Sequence, residues 1–420
     1  GEPHTMDLNF ANKFGFGGNQ VLVLESANNI NTNLGLLLGS SPTKPIRVYV
    51  LSNPDCFVIH HQFDPKKPIL QIERKENGPG KINRLNAQEM KALLKGYLAS
   101  SDGYILVGIL KIPTGVYLCV ATDCRIVGKI NQHEILCISE TAFLPFGNRY
   151  YNLRTNDINE FTEKQNMEKS HTEIRKWLNS NSFYYSHTYN LTVRAQEQYY
   201  QKTKSGAQEG HLLSQVDIRF FWNRHALHFF IKNNLQDFIM PIMKGFVQIS
   251  SCRVNDQNVD LTLISRLSCL RAGTRYNARG VNDDGNVANF VETEQILSSQ
   301  SRLASFVIIR GSVPVFWEQK MVRGKYRSTL SRGKEATAPA FAKHFEDTMK
   351  IYGRQCIVNL LSPLKESEKT LIDAYEEQLK AANYSENQIK YHAFDFSQQL
   401  ENGKKFNLIG PLLLDNLETD

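Results

Sequence analysis

Between residues 20 and 140 one pattern recurs: a short run of β-branched and aromatic residues, then a turn. The runs are VLVLE (21–25), IRVYVLS (46–52), FVIHHQF (57–63), ILQIER (69–74), YILVGIL (104–110), VYLCVAT (116–122) and EILCIS (134–139). Each has strand length, and turn residues separate them. They predict a first domain made mostly of antiparallel sheet. One helix interrupts, from Asn86 or Ala87 to Ala99. Its Met90, Leu93, Leu94, Tyr97 and Leu98 recur at helical spacing and form one apolar face.

Beyond residue 150 the pattern changes. Residues 151–182 are polar and helical, a connector. After it, strands and helices alternate. FYYSHTYNLT (183–192), KGFVQISS (244–251), DLTLISRL (260–267) and ASFVIIRG (304–311) read as strands. A helix over 338–353, a strand over 355–361, a helix over 365–382 and a strand over 389–396 follow. The tail from Lys404 reads as a last helix. Alternation of this kind predicts an α/β domain with a central mixed sheet. The expected organisation is therefore α+β / α/β: a β-rich unit over 6–150, a connector over 151–182, and an α/β unit over 183–420. GEPHT, ahead of Met6, is read as a cloning remnant.

A length of 420 residues suits two or three domains. Hydrophobic residues make up 41% and charged residues 22%, ordinary for a globular protein. The net charge of +7 permits an anionic partner without choosing one. No apolar run approaches the roughly 20 residues that span a bilayer, so no transmembrane segment is expected. Seven cysteines at irregular spacing, with no CxxC pair, argue for reduced thiols and against a structural zinc site. No metal and no cofactor is expected.

The most polar stretch is Leu263–Glu294, LISRLSCLRAGTRYNARGVNDDGNVANFVETE. It carries Arg266, Arg271, Arg275 and Arg279, turns at Asp284-Gly285, and runs on into a polar-acidic segment. It reads as a poor core and as a place to hold an anion. A calcium loop fails here, because Gly280 would be its first position and Val291 its twelfth. A Cys-x5-Arg spacing, which a cysteine phosphatase needs, occurs at Cys119–Arg125 and Cys269–Arg275. The first sits on a strand hairpin. The second has Tyr276 after the arginine and no helical period. Both cysteines read as small buried thiols. Arg310 stands at a strand end before a Pro-flanked aromatic pair. Lys320, Arg323, Lys325, Arg327, Arg332 and Lys334 form a run without an acid, read as a solvated loop or as a basic rim for an acidic membrane surface. Aromatic interleaving is sparse, so no nucleic-acid partner is expected.

Taken in order, FYYSHTYNLT (183–192), DIRFFWN (217–223), residues 263–295, RGSVPVFWEQ (310–319), SRGKEATAPAFAKHF (331–345), YGRQCIVNLL (352–361) and the strand ending Phe394-Asp395-Phe396 resemble the phosphoinositide phosphatase domain of the Sac family, synaptojanin type. CVATDCRIVGKI (119–130) matches more loosely. The resemblance implies a β-rich Sac subdomain followed by an α/β catalytic subdomain. It implies a hydrolase that removes phosphate, mainly 4- and 3-phosphates, from phosphatidylinositol monophosphates through a phosphocysteine. It implies work on cytoplasmic membrane faces without a metal, with endocytic or trafficking proteins as partners. The family's nucleophile loop, R-T-N-C-x-D-C-L-D-R-T-N, does not occur in the sequence. The chain is thus expected to be inactive alone, as a piece of a longer enzyme or as a non-catalytic relative. The alternative is a scaffold module that binds phosphoinositide or protein. Arg271, Arg275, Arg279, Asn282, Asp283, Asn286, Asn289, Glu292 and Arg310 are expected to shape the substrate cleft or brace the loop.

Overall fold

The structure is a computed structural model and describes residues 43–147, 158–204, 215–254, 257–273, 278–299, 302–322, 325–395 and 398. The expected strand at 21–25 and the tail helix lie outside these residues. Contacts divide the described chain into two units. One holds 43–266 and 293–306, the other 267–292 and 307–398.

In the first unit, β1 (Ile46–Ser52), β2 (Asp55–His61), β3 (Ile69–Lys75), β4 (Gly78–Leu85) and β5 (Tyr97–Gly103) form a sheet in the order β4-β3-β2-β1-β5. The helix α1 (Ala87–Leu93) precedes β5. Asn86 caps it, accepting from the Gln88 and Glu89 N–H groups, while Glu89 accepts from the Asn86 N–H. Its Met90 and Leu93, with Leu94, pack on Leu51, Cys56 and Val58. The expected helix to Ala99 is corrected here. A 3-10 turn ends it at Leu94–Gly96, and residues 97–103 pair antiparallel with β1 instead. Ladder hydrogen bonds along β1 outweigh the helical spacing of Tyr97 and Leu98, which stand exposed.

The second sheet has eight strands in chain order: β6 (Ile105–Ile112), β7 (Gly115–Ile130), β8 (His133–Pro145), β9 (Phe183–Tyr185), β10 (Met243–Val254), β11 (Gln257–Leu267), β12 (Val291–Ser299) and β13 (Arg302–Arg310). The fold is mixed α+β. The turn between β7 and β8 places Asn131 and Gln132 at positive φ, as a tight hairpin requires. Strand alternation then sorts the core. Leu118 and Val120 join Val48, Phe57, Ile59, Leu70 and Ile72 of the first sheet. Cys119 and Ala121 face the other way, with Leu178, Phe183 and Tyr185. The long helix α2 (Ile158–Leu178) lies within the expected connector, the eight-stranded sheet runs on both sides of it in sequence, and the shorter α3 (Ala195–Lys204) and α4 (His228–Lys232) follow β9.

Two expectations change in this unit. FYYSHTYNLT keeps only three residues of strand. Beyond them the Ser186 hydroxyl accepts from the Tyr189 N–H and Asn190 Oδ1 from the Thr192 N–H and hydroxyl, local bonds that replace a ladder. And Val291–Ser299 is a strand, although its glutamates made it read as a polar run.

In the second unit, β14 (Trp317–Val322) and β15 (Lys325–Leu330) make a two-stranded ribbon, so the basic run begins in a hairpin rather than a loop. Helices α5 (Lys334–Tyr352) and α6 (Glu366–Ala382) flank the parallel pair β16 (Gln355–Asn359) and β17 (Ile389–Ala393), the expected strand–helix–strand alternation. Val315, Trp317, Phe341, Phe345, Leu371, Tyr375 and Ile389 are its core. No described helix is long and apolar enough to cross a membrane.

Candidate functional site

The stretch 263–294 does two jobs. Its β11 end lies in the first unit. There Arg266 is fully buried, and its Nη2 donates to Glu294 Oε2 at 2.7 Å. Its Nε donates to the Leu191 carbonyl at 2.6 Å. The other oxygen of Glu294 accepts from the Ala195 N–H and from the Ser305 hydroxyl, each at 2.7 Å. So one of the four arginines does not hold an outside anion: its charge is met inside the protein. The reading of this stretch as a poor core is corrected as well. Val281, Val287, Ala288, Phe290 and Val291 are all buried.

The described residues of the rest of the stretch fold within the second unit as a braced loop. The Ser268 N–H donates to the Phe290 carbonyl and closes its base. Val281 and Val287 form an antiparallel bridge. Inside it, the Asn282 N–H donates to the Asn286 carbonyl and the Asn286 N–H to Asn282 Oδ1. Gly285 turns the chain at φ +78°. A Cβ there would lie 2.9 Å from the His344 backbone nitrogen, so the turn and helix α5 approach too closely for any other residue. His344 Nδ1 meets the Gly285 carbonyl at 3.1 Å, and burial pulls the imidazole pKa down to about 4. The neighbouring Gly280 and Val281 bond to Ser312 Oγ and to the Val315 carbonyl. Asn289 Nδ2 donates to the Ala278 carbonyl at 3.2 Å. Glu292 is buried and accepts from the Tyr352 hydroxyl at 2.5 Å. Asp283 is exposed and paired with Arg332, which holds its carboxyl below the ordinary range.

Against this frame stand two guanidinium groups. Arg271 Nη2 donates to the Arg279 carbonyl at 2.8 Å. Arg279 Nη2 donates to Gln319 Oε1 at 2.8 Å, and its guanidinium lies 5.3 Å from the Trp317 ring centroid. Arg271 differs from Arg266 in what answers its charge. Among the described residues no carboxylate is within ion-pair distance, and its Nε is buried without a hydrogen-bond partner. Burial lowers its pKa, opposed by Asp283 acting through space. A half-buried cation with a buried N–H donor has the charge and the hydrogen-bonding group that an anionic oxygen accepts from.

The expected site residues therefore separate. Asn282, Asn286, Asn289 and Glu292 tie the loop to its frame, and Arg271 with Arg279 presents charge. Arg275 lies outside the described residues. Arg310, at the end of β13, is exposed and makes no side-chain bond among them. Of the basic run, Lys320 pairs with Glu318 at 2.6 Å and Lys334 with Glu377 at 2.9 Å. Arg332 also stacks on Phe316, 4.0 Å from its centroid. Arg327 is exposed on β15 and Lys325 opens that strand, while Arg323 lies outside the described residues. Gln319, Tyr352 and His344 escaped the sequence reading. Each meets the loop from tens of residues away, and no local spacing signals it.

Of the two Cys-x5-Arg cysteines, Cys119 is not built as a nucleophile. Cys119 is fully buried on β7, and burial pushes its thiol up to about 12. Cys269 is half-buried, and the arginine six residues on lies outside the described residues. No three His, Cys, Asp or Glu side chains among the described residues gather closely enough to hold a metal ion.

Comparison with known proteins gives the context. Synaptojanin-1 of Homo sapiens is 36% identical over 367 residues, which cover 83% of this chain and 21% of that protein. Phosphatidylinositol-3-phosphatase SAC1-B of Danio rerio is 34% identical over 296 residues, 70% of this chain and 48% of that protein. Phosphatidylinositide phosphatase SAC2 of Mus musculus is 37% identical over 286 residues, 61% and 24%. The chain thus spans 21% of the length of the synaptojanin-1 it matches. The family model described as the SacI homology domain matches residues 104–401, which takes in the sheet from β6 onward, the braced loop and the α5–β17 layer. This chain belongs to the SacI homology domain family.

Proposed function

We propose that this chain is the phosphoinositide-recognising body of a Sac-type phosphatase, with phosphatidylinositol monophosphates, mainly the 4- and 3-phosphates, as its ligands. One observation carries the reading. Arg271 brings a half-buried positive charge, with an unsatisfied donor, to a loop inside the region that matches the SacI homology domain. An inositol-bound phosphate has the charge and the acceptor oxygens to fill it. The curated relatives act on such lipids, as the names phosphatidylinositol-3-phosphatase and phosphatidylinositide phosphatase say. Family membership supports a hydrolase lineage and a place on the cytoplasmic face of membranes.

For this polypeptide itself we propose binding without turnover. A phosphocysteine needs a thiolate, and Cys119 is held protonated by burial. The test uses short-chain phosphatidylinositol 3- and 4-phosphates with the whole chain. Titration calorimetry should show binding, and a phosphate-release assay should stay at background. Steady phosphate release would defeat the no-turnover reading, and its loss in Cys269→Ser would assign the turnover to that cysteine. Absence of binding to either lipid would defeat the recognition reading.

A further inference from the structure

The β14–β15 ribbon has one face buried at Trp317 and exposed at Met321 and Tyr326. Antiparallel register puts Trp317 opposite Leu330, Gln319 opposite Ser328 and Met321 opposite Tyr326. Paired residues share a face. Trp317 is sealed in the core with Phe341 and Phe345. Four residues further on, about 13 Å along a strand, Met321 is 63% exposed and Tyr326 48%. The opposite face carries Lys320 across from Arg327. The ribbon is a two-stranded sheet, so no further strand covers either edge among the described residues.

Charge chooses the occupant. From Trp317 to Leu330 the sequence holds four basic residues against one acid, Glu318. That acid answers Lys320, and Arg327 has no ion-pair partner among the described residues. The two basic residues beyond the ribbon are already met, Arg332 by Asp283 and Lys334 by Glu377. So, among the described residues of the run, Arg327 on the ribbon is the one whose charge no acid meets, on the face opposite Met321 and Tyr326. Exposed Met and Tyr next to cations match the boundary between lipid headgroups and acyl chains, where an apolar body and a polar end are both satisfied.

We infer that the β14–β15 ribbon is an interfacial anchor: Met321 and Tyr326 enter an anionic bilayer surface while Lys320 and Arg327 meet its lipid phosphates. The anchor adds to the recognition reading proposed above, because it would bring the Arg271 loop to its lipid, yet it needs only negative charge and not a particular headgroup. Its apolar half resists salt and its cationic half does not.

The test is flotation of the whole chain with vesicles of phosphatidylcholine alone, with phosphatidylserine, and with phosphatidylinositol 4-phosphate. Met321→Ser with Tyr326→Ser should lower partition onto phosphatidylserine vesicles about tenfold or more, and the residual binding should be removed by salt. Lys320→Gln with Arg327→Gln should cost about fivefold per cation at low salt and little at high salt. Both positions are exposed, and an unchanged melting temperature identifies variants that remain folded. Short-chain phosphatidylinositol 4-phosphate separates the two ideas. A tip variant that keeps its affinity for that lipid but leaves the vesicles supports the anchor. Wild-type chain that binds phosphatidylserine vesicles through the tip, but ignores the short-chain lipid, supports the anchor and sinks the recognition reading. A tip variant that floats like wild type overturns the anchor and leaves recognition standing. Failure of the wild type to bind any vesicle also overturns it, and would make the ribbon a surface for a protein partner.

Discussion

Arg266 and Arg271 sit on one short stretch of chain, yet their surroundings are opposite. Arg266 is sealed in the first unit, and a carboxylate and backbone carbonyls answer its charge. Arg271, in the second unit, has a carbonyl for one nitrogen and nothing for its Nε among the described residues. A run of arginines in sequence is therefore not one site. The arginine on the strand specifies the packing of β11, β12 and the Leu191–Val193 turn. The arginine on the loop is half-buried and bonds the Arg279 carbonyl. The difference lies in the negative charge within reach: Arg266 has the Glu294 carboxylate at 2.7 Å, and Arg271 has no carboxylate at ion-pair distance among the described residues.

The largest effect should come from breaking the answered pair. Glu294→Ala leaves Arg266 buried and uncompensated, and should lower unfolding free energy by about 3–5 kcal/mol. Arg266→Met combined with Glu294→Leu removes both charges and should destabilise less than Glu294→Ala alone. Urea denaturation of the three proteins checks this. Equal losses for the single and the double variant would mean that shape, not charge, holds this corner.

A second prediction concerns the brace of the loop. Packing desolvates His344 and holds its pKa at about 4, against about 6.5 for a free imidazole. Asp347 opposes the shift and the Gly285 carbonyl accepts from the ring. The folded state thus prefers the neutral ring. Its contribution is whole above about pH 6.5 and fades as pH falls toward 4, by at most about 3 kcal/mol. His61, in the first unit, is held at about 4 in the same way, so the wild-type melting curve carries both. His344→Gln should flatten the acid limb by the part that belongs to the loop. An unchanged limb would assign the acid loss to the first unit alone.

Much of the scaffold for this contrast could be read from residue patterns. Leu118 and Val120 alternate with Cys119 and Ala121, and the two pairs do face opposite cores. Leu371, Ile372 and Tyr375 recur at helical spacing and are buried on α6. What escaped has a common cause. β12 carries Glu292 and Glu294, which suggest solvent until Tyr352 and Arg266 are seen to bond them. β5 begins with Tyr97 and Leu98, which continue a helical period, but the unpaired edge of β1 claims them. The basic ribbon is a strand pair only because each half supplies the other's ladder. In each case the deciding contact lies far away in sequence, where propensity has no reach. Arg271 and Arg266 look identical by local pattern for the same reason.

The smallest effect on stability should accompany a large effect on binding, and that pairing is the sharpest test of the contrast. Arg271→Met removes a half-buried charge that no acid among the described residues meets at ion-pair distance, and replaces it with an apolar chain of similar reach. Loss of the bond to the Arg279 carbonyl costs something, and relief of a desolvated cation returns something. The net change in unfolding free energy should stay within about 1 kcal/mol. Affinity for a short-chain phosphatidylinositol phosphate should fall about tenfold, the weight of one charge-assisted hydrogen bond. Arg271→Lys separates charge from geometry: a lysine keeps the charge but lacks the planar fork. If the lysine variant binds as the methionine variant does, the Nε direction is what the ligand reads. If both bind like wild type while losing stability, Arg271 belongs with Arg266 as packing, and the anion is held elsewhere on the loop.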